Sequence, residues 1–407
     1  MTNINVPWAA WHGDCQMELV FPAEWDVVEA RMRDAPTLED NEIRERLRAS
    51  IGIAPLRDLA RGKRNAVIVS EDTSRPAPLH RLMPYVVGEL EAGGIDRRRI
   101  RILIGSGSHR PITRPDAISK FGHDIVETVE IRNHNPYENL ISLGTSSRGT
   151  PILVNRTFME ADLKIAVGSI VPHEIAGFGG GAKVVSIGVA GLDTLEGNHQ
   201  RLASQAPGGV GRLEDNALRL DLEEIAARAG LAVTVNVVVN SKRDIAGVFA
   251  GDPVQSHRAG VCFAREVYAT QPPESVDIAV FNAYPKDTEL LQGTNALNVA
   301  YGLGDKLIRP NGTVVMTVAA SEGYGHHSQV ERQRYVNGTE MFWNRRLFVY
   351  SPNLGQWDID RFGPPGAVLF RDWSSLIGAL AAQYPSGAQA VVFPCGTLQL
   401  GGGEYKS

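Results

Sequence analysis

Residues 66–104 read AVIVSEDTSRPAPLHRLMPYVVGELEAGGIDRRRIRILI, and this stretch decides the fold. Ala66-Val67-Ile68-Val69 is too short an apolar run for a helix and suits a buried strand. Beyond the polar segment Glu71 to Pro76, the apolar residues Leu79, Leu82, Met83, Val86, Val87 and Leu90 recur at the spacing of one helical face. Pro84 lies within that pattern and implies a kink or a late helix start. Gly93-Gly94 stops the helix, and Ile100 to Ile104 supplies a second buried strand, so the segment is a βαβ unit on a parallel sheet.

Working outward, Leu163 to Val167 is a further strand, and Leu231 to Val239 another after a helix over Leu218 to Ala229. Gln271-Pro272-Pro273-Glu274-Ser275 reads as a linker, because adjacent prolines cannot continue a helix. The expected domains are therefore 1–272, carrying cofactor loops and catalytic histidines, and 273–407, closing a cleft and contributing substrate contacts. The second half again alternates strands with helices. Strands are expected at Ile278 to Phe281, Thr313 to Val318, Leu347 to Tyr350 and Ala390 to Phe393, with helices over Asp287 to Leu303 and Ser374 to Ala382. The fold class is α/β, two α/β domains with mostly parallel sheets and the active site in the cleft between them.

Composition narrows the function. The 407 residues are 43% hydrophobic, enough for more than one core. Lys plus Arg number 41 against 46 Asp plus Glu, which argues against nucleic-acid binding through phosphate neutralisation and for a small-molecule partner. Cys15, Cys262 and Cys395 are too scattered for a disulfide framework or a CxxC motif. No basic, apolar leader and no membrane-length apolar run is present, so a cytoplasmic protein without membrane contact is expected. Asn155, Asn311 and Asn337 head chance glycosylation sequences, and the tail 401–407 reads as frayed.

In open parallel sheets ligands bind beyond the carboxyl ends of strands, so loops that follow strands carry the chemistry. Asp72-Thr73-Ser74-Arg75 combines a carboxylate, hydroxyls and a guanidinium that suit a phosphate or ribose; a helix cap and a surface ion pair is the plainer alternative. Gly105-Ser106-Gly107-Ser108-His109-Arg110-Pro111 opens like a dinucleotide fingerprint, but Arg110 replaces the third glycine. His109 there is either functional or a turn histidine bonded to its own backbone. Gly177-Phe178-Gly179-Gly180-Gly181-Ala182-Lys183 gives up so much chain entropy that its backbone must approach something closely. Lys183 is either a phosphate contact or a nucleophilic or modified lysine. His109, His173 and His199 lack the spacing of a three-ligand metal site. His12, His80, His123, His134 and His257 read as solvated. Thr288, Gln292 and Asn295 form a polar stripe on the expected second-domain helix.

Together, Asp72-Thr73-Ser74-Arg75-Pro76, Gly107-Ser108-His109-Arg110-Pro111, Gly149 to Asn155, Ala161-Asp162, Pro172-His173, Gly177 to Lys183, His199 and Tyr284-Pro285-Lys286-Asp287 resemble the nickel-dependent lactate racemase family. The resemblance implies a 2-hydroxy acid racemase or epimerase using a nickel-pincer nucleotide, a nickel(II) pyridinium-3,5-bisthiocarboxylic acid mononucleotide. It implies that Lys183 is the covalent tether, His199 the protein's nickel ligand, Asp72, Thr73, Ser74 and Arg75 cofactor contacts, and His109 and His173 alternating acid and base. Cofactor-making enzymes would be transient partners. Gln292 matches a substrate contact, whereas Asn295 stands where the family carries a lysine, which leaves Arg75, Arg110 or Lys286 to meet a carboxylate and suggests a larger or more hydroxylated substrate than lactate. The competing expectations are an NAD(P)-dependent oxidoreductase or epimerase and a cofactor-free binding protein.

Overall fold

Strand Ala66–Ser70 is buried at every position and lies between Ile100–Ile104 and Leu163–Ser169, parallel to both. The computed structural model describes residues 1–205, 208–303, 306–328, 345–362 and 366–402; Asn337 and tail residues 403–407 lie outside them. The full sheet runs in the order Ile245–Gly251, Val233–Val239, Leu163–Ser169, Ala66–Ser70, Ile100–Ile104, Glu130–Asn133. Only Ile245–Gly251 is antiparallel to its neighbour. The chain first builds outward from Ala66–Ser70 on one side and then returns to build on the other. The order therefore reverses between Ala66–Ser70 and Leu163–Ser169, the kind of switch point at which open α/β sheets bind ligands.

The expected helix starts late. Leu79–Arg81 is a single 3-10 turn, and the α-helix Met83–Ala92 begins with Pro84 in its first turn, where a missing N–H leaves no gap. Leu79, Leu82, Met83, Val86, Val87 and Leu90 are all fully buried, each contributing about 1.5–3 kcal/mol of transfer free energy.

Residues 35–265 form one compact unit; residues 1–34 and those from Glu266 onward form the other. This differs from the expected division at 272/273. The helix Gln255–Tyr268 carries the chain past the break, so the two prolines fall inside the second unit. Its sheet is parallel throughout, in the order Val368–Phe370, Arg346–Tyr350, Ile308–Thr317, Val276–Asn282, Gln389–Phe393, Asp26–Glu29. Asp26–Glu29 joins by backbone pairing and by packing Val27 against the core, with no apolar run long enough to announce it. The hairpin Thr2–Trp8 and Cys15–Phe21 adds Ile4, Val6, Leu19 and Phe21 to a core containing Ile278, Val280 and Val392.

The expected helix over Asp287 to Leu303 is broken into Leu290–Gly293, a 3-10 turn Thr294–Leu297, and Asn298–Leu303. Thr288 precedes the first piece, so Thr288, Gln292 and Asn295 share no helical face. Among the described residues no helix is long and apolar enough to cross a membrane.

Candidate active site

The loop that leaves Ala66–Ser70 is anchored by a residue that sequence reasoning passed over. Glu71 Oε2 accepts the backbone N–H of Ser169 at 2.6 Å and its hydroxyl at 2.7 Å, tying together the two strand ends at the switch point. Glu71 Oε1 takes the ammonium of Lys120 at 2.8 Å, and the same ammonium reaches Arg75 O at 2.8 Å. Lys120 is fully buried in helix Arg114–Phe121, and burial lowers its pKa against the opposing pull of Glu71. A lone apolar-helix lysine gives no hint of this in sequence.

Next along the loop, Asp72 Oδ1 accepts Ser74 N–H at 2.9 Å and also takes the Ser74 hydroxyl, while Oδ2 lies 2.8 Å from His109 Nδ1. Burial by itself would raise the Asp72 carboxyl, but the charge and hydrogen bond of His109, with Arg75 adding to them, hold it well below the usual carboxylate range. An ionised carboxylate only accepts, so His109 Nδ1 carries hydrogen, and in the neutral ring Nε2 is the nitrogen with the lone pair. Asp72 thus fixes one nitrogen of the His109 ring from the loop expected to hold a nucleotide. Arg75 donates to Ser74 O at 3.2 Å and Ser74 Oγ at 2.9 Å. Thr73 is buried beside them. Arg110 pairs with Asp116 at 2.7 Å, within the capping box that starts helix Arg114–Phe121 at Thr113.

From Leu163–Ser169 the chain enters a short hairpin in which Pro172–His173 pairs with Gly177–Phe178. His173 Nδ1 faces the backbone N–H groups of Ile175 and Ala176 at 3.4 and 3.3 Å. In a neutral ring its hydrogen is therefore on Nε2, the reverse of His109.

The glycine loop does approach something closely, and that something is the protein itself. Gly177 has φ +74°, and a Cβ there would meet the Arg212 carbonyl at 2.0 Å; a Cβ on Gly181 would meet the His257 ring at 2.7 Å. Fully buried Arg219 donates to the carbonyls of Ala176, Phe178 and Gly180, its pKa lowered to about 10 by burial. His257 donates to Gly179 O at 2.8 Å, and burial followed by the nearby Arg219 charge pushes its pKa well down. Gly179 N–H goes to Val171 O and Gly181 N–H to Asn236 Oδ1, each at 2.7 Å, so these groups do not form a phosphate cradle. His257 is thus not solvated as expected. Nor is buried His134, whose Nε2 lies 2.9 Å from Ala190 O. The Gly105-Ser106-Gly107 turn likewise packs against protein, with the Val184 and Ile187 carbonyls 3.1 and 3.2 Å from the positions a Cβ would take.

The loop ends at Lys183, only 9% exposed, the first residue of the short helix Lys183–Ser186. His199 sits in a π-helical stretch, Gly197–Leu202, a widened turn that frequently marks functional positions. Its ring is 5.8 Å from that of His173, edge to face, and its Nδ1 is 2.8 Å from Asn198 Oδ1. In the other unit, the loop leaving Val276–Asn282 holds buried Lys286 and Asp287; the Asp287 carboxylate accepts Ala9 and Ala10 N–H at 2.8 and 3.1 Å. Gln292 is buried, and Asn295 donates to Gln292 O at 2.9 Å and accepts from Asn298 at 3.4 Å. The structure thus brings Asp72, Ser74, Arg75 and His109 into direct contact, sets His173 against His199, and joins Gln292 to Asn295.

The model of the lactate racemase N-terminal domain matches residues 12–209. Over 292 residues the chain is 34% identical to lactate racemase of Lactiplantibacillus plantarum, covering 70% of this chain and 68% of that one. Lactate racemase of Thermoanaerobacterium thermosaccharolyticum is 32% identical over 292 residues, covering 70% and 67%. The lactate racemase apoprotein structure from Thermoanaerobacterium thermosaccharolyticum superimposes with TM-score 0.80 at 22% identity, covering 99% of this chain and 100% of that one. A Thermotoga maritima protein gives TM-score 0.66 at 15% identity, covering 91% and 100%. The chain belongs to the lactate racemase family.

Proposed function

We propose that this racemase inverts C2 of a 2-hydroxy acid by reversible hydride transfer, with a nickel-pincer nucleotide tethered through Lys183 and ligated by His199. The observation that carries the reading is the pairing of His173 with His199 in the same unit as a carboxylate-oriented His109. Among the described residues no group of three or more His, Cys, Asp or Glu is placed to hold a metal, so nickel here would draw most of its donors from the nucleotide. A single imidazole would then suffice from the protein, and His199, with Nδ1 directed at an amide oxygen, has the lone pair of its neutral ring on Nε2, a nitrogen donor that suits nickel. Lys183 and His199, together with Asp72, Thr73, Ser74 and Arg75, are the residues that would hold the group.

When bound, the group supplies an electrophilic carbon that takes hydride from C2 and returns it. His109 Nε2 accepts the hydroxyl proton as hydride leaves, and the substrate becomes a 2-keto acid. Asp72 holds the imidazole in the required tautomer and stabilises its cation. On the return, with the keto acid's other face presented, His173 Nε2 would supply the proton to oxygen. The opposite enantiomer uses the two histidines in reverse order. Deprotonating C2 directly would be harder, because that proton is barely acidic.

Asn295 brings no cation, and its amide is already engaged within its own turn. Neutral amides at 292 and 295 favour hydroxyl groups over a methyl, so the substrate is larger or more hydroxylated than lactate. The test is intact mass and nickel content of protein made alongside the cofactor-building enzymes, with Lys183→Ala as control, followed by racemisation of lactate and of sugar acids. A Lys183-dependent adduct with about one nickel per chain is expected. An unmodified, nickel-free chain would overturn the cofactor reading, and equal rates on lactate and sugar acids would overturn the substrate reading.

A further inference from the structure

We propose that Asp221, a buried carboxylate in helix Ala217–Arg228, fixes which ring nitrogen of His199 carries hydrogen and so keeps Nε2 open to a metal; this rests on the reading of His199 as nickel ligand. Asp221 touches neither metal nor substrate and acts as a positioning residue through Asn198.

Asp221 and His199 are connected by a chain of donors and acceptors in which each member leaves the next no choice. Asp221 Oδ1 lies 2.5 Å from Ser146 Oγ; Oδ2 lies 2.8 Å from Thr150 Oγ1 and 2.7 Å from Asn198 Nδ2. Ser146 Oγ already accepts the backbone N–H groups of Arg148 at 3.3 Å and Thr150 at 3.1 Å, so its own hydrogen points at Asp221. Both carboxylate oxygens thus face donors, and Asp221 is an acceptor only. Asn198 must then turn its NH2 toward Asp221, where it also meets Leu218 O at 3.4 Å. The other end of the amide, Oδ1, faces His199 Nδ1 at 2.8 Å. A carbonyl oxygen cannot donate, so Nδ1 carries the hydrogen and Nε2, shielded from solvent, keeps its lone pair. An asparagine alone would bind either tautomer after flipping its amide. The carboxylate behind it removes that freedom.

Asp221→Asn tests the relay. The new amide can place its NH2 against Ser146, whose oxygen is already filled by two N–H groups, or against Thr150 and Asn198. Thr150 can rotate its hydroxyl and Asn198 can flip, so the second placement wins and Asn198 presents NH2 to His199 Nδ1. The expected result, in a proton–nitrogen correlation spectrum of 15N-histidine-labelled protein without cofactor at pH 8, is that the His199 hydrogen moves from Nδ1 to Nε2. His199→Gln assigns the resonance. Thr150→Val, which removes a donor without reversing the sense at Asn198, should keep the wild-type tautomer. In protein made with the cofactor-building enzymes, Asp221→Asn should weaken nickel retention about 10–100-fold. Hydrogen remaining on Nδ1 in Asp221→Asn would overturn the proposal. Should that variant fail to fold, Asn198→Ala serves: both tautomers are expected, and an unchanged single Nδ1–H form overturns it. A tautomer that moves while nickel retention does not would leave the relay standing and refute His199 as the ligand.

Discussion

Asp72→Asn should cost roughly two to three powers of ten in kcat/KM while leaving the cofactor attached. Ser74 N–H needs an acceptor at the position of Oδ1, which it meets at 2.9 Å, so the oxygen of the new amide must sit there. The NH2 then faces His109 Nδ1, 2.8 Å from the lost Oδ2, and the imidazole must move its hydrogen to Nε2. That nitrogen can no longer accept the substrate's proton. The charge effect points the same way. A carboxylate and an imidazolium about 4 Å apart attract by about 4 kcal/mol at an effective dielectric near 20, or about three powers of ten in rate. Arg75 beside the pair already neutralises part of the Asp72 charge and trims that figure, and positioned general bases contribute about 10²–10⁴-fold. The assay follows conversion of one enantiomer by polarimetry, with intact mass confirming equal loading of variant and wild type. Activity within tenfold of wild type at equal loading would refute the role assigned to Asp72.

Two stability predictions follow from buried groups outside the chemistry. Lys120→Met leaves Glu71 without the ammonium that faces its Oε1, and should destabilise by about 3–5 kcal/mol in denaturant titration, with Glu71→Gln added to it recovering part of the loss; a change under about 1 kcal/mol would mean the pair is not buried as described. His134 is held down to about 4 by burial, so between that value and the unfolded 6.5 the unfolded chain binds a proton that the folded one does not. Stability must then fall as the pH drops through this window, by about 3 kcal/mol in all, and His134→Gln should show a shallower acid limb than wild type.

The parts of this molecule written as local patterns were legible. Buried strands and the face of Met83–Ala92 follow from runs and periods of apolar residues, and the Pro84 discrepancy resolved as a late start. The strand Asp26–Glu29 was not legible, because four residues with two adjacent valines are too short to display the alternation that the structure gives them. Glycine density between Gly177 and Lys183 correctly signalled close approach but could not say to what; the neighbours prove to include a buried arginine and histidine forty and more residues downstream. His257 and Lys120 illustrate the same limit from the other side. A polar residue in a helix looks solvated until the fold supplies the carbonyl or carboxylate that lets it be buried. In the candidate site, the family resemblance singled out His109, His173 and His199, while the partners that bond their rings, Asp72 apart, lay beyond reach, because a hydrogen bond between distant segments leaves no spacing to read.

Because one unit is discontinuous, synthesis sets the order in which the two can fold. Asp26–Glu29 pairs with Gln389–Phe393, so the first strand of that sheet to be synthesised waits for the last. At about 5–20 residues per second, roughly 20–70 s separate the two on a ribosome. Residues 35–265, being continuous, can fold in the meantime. Throughout that interval Ile4, Val6, Leu19, Phe21 and Trp25 lack the complete core they finally enter, which leaves the stretch that carries them exposed to chaperones and to premature association.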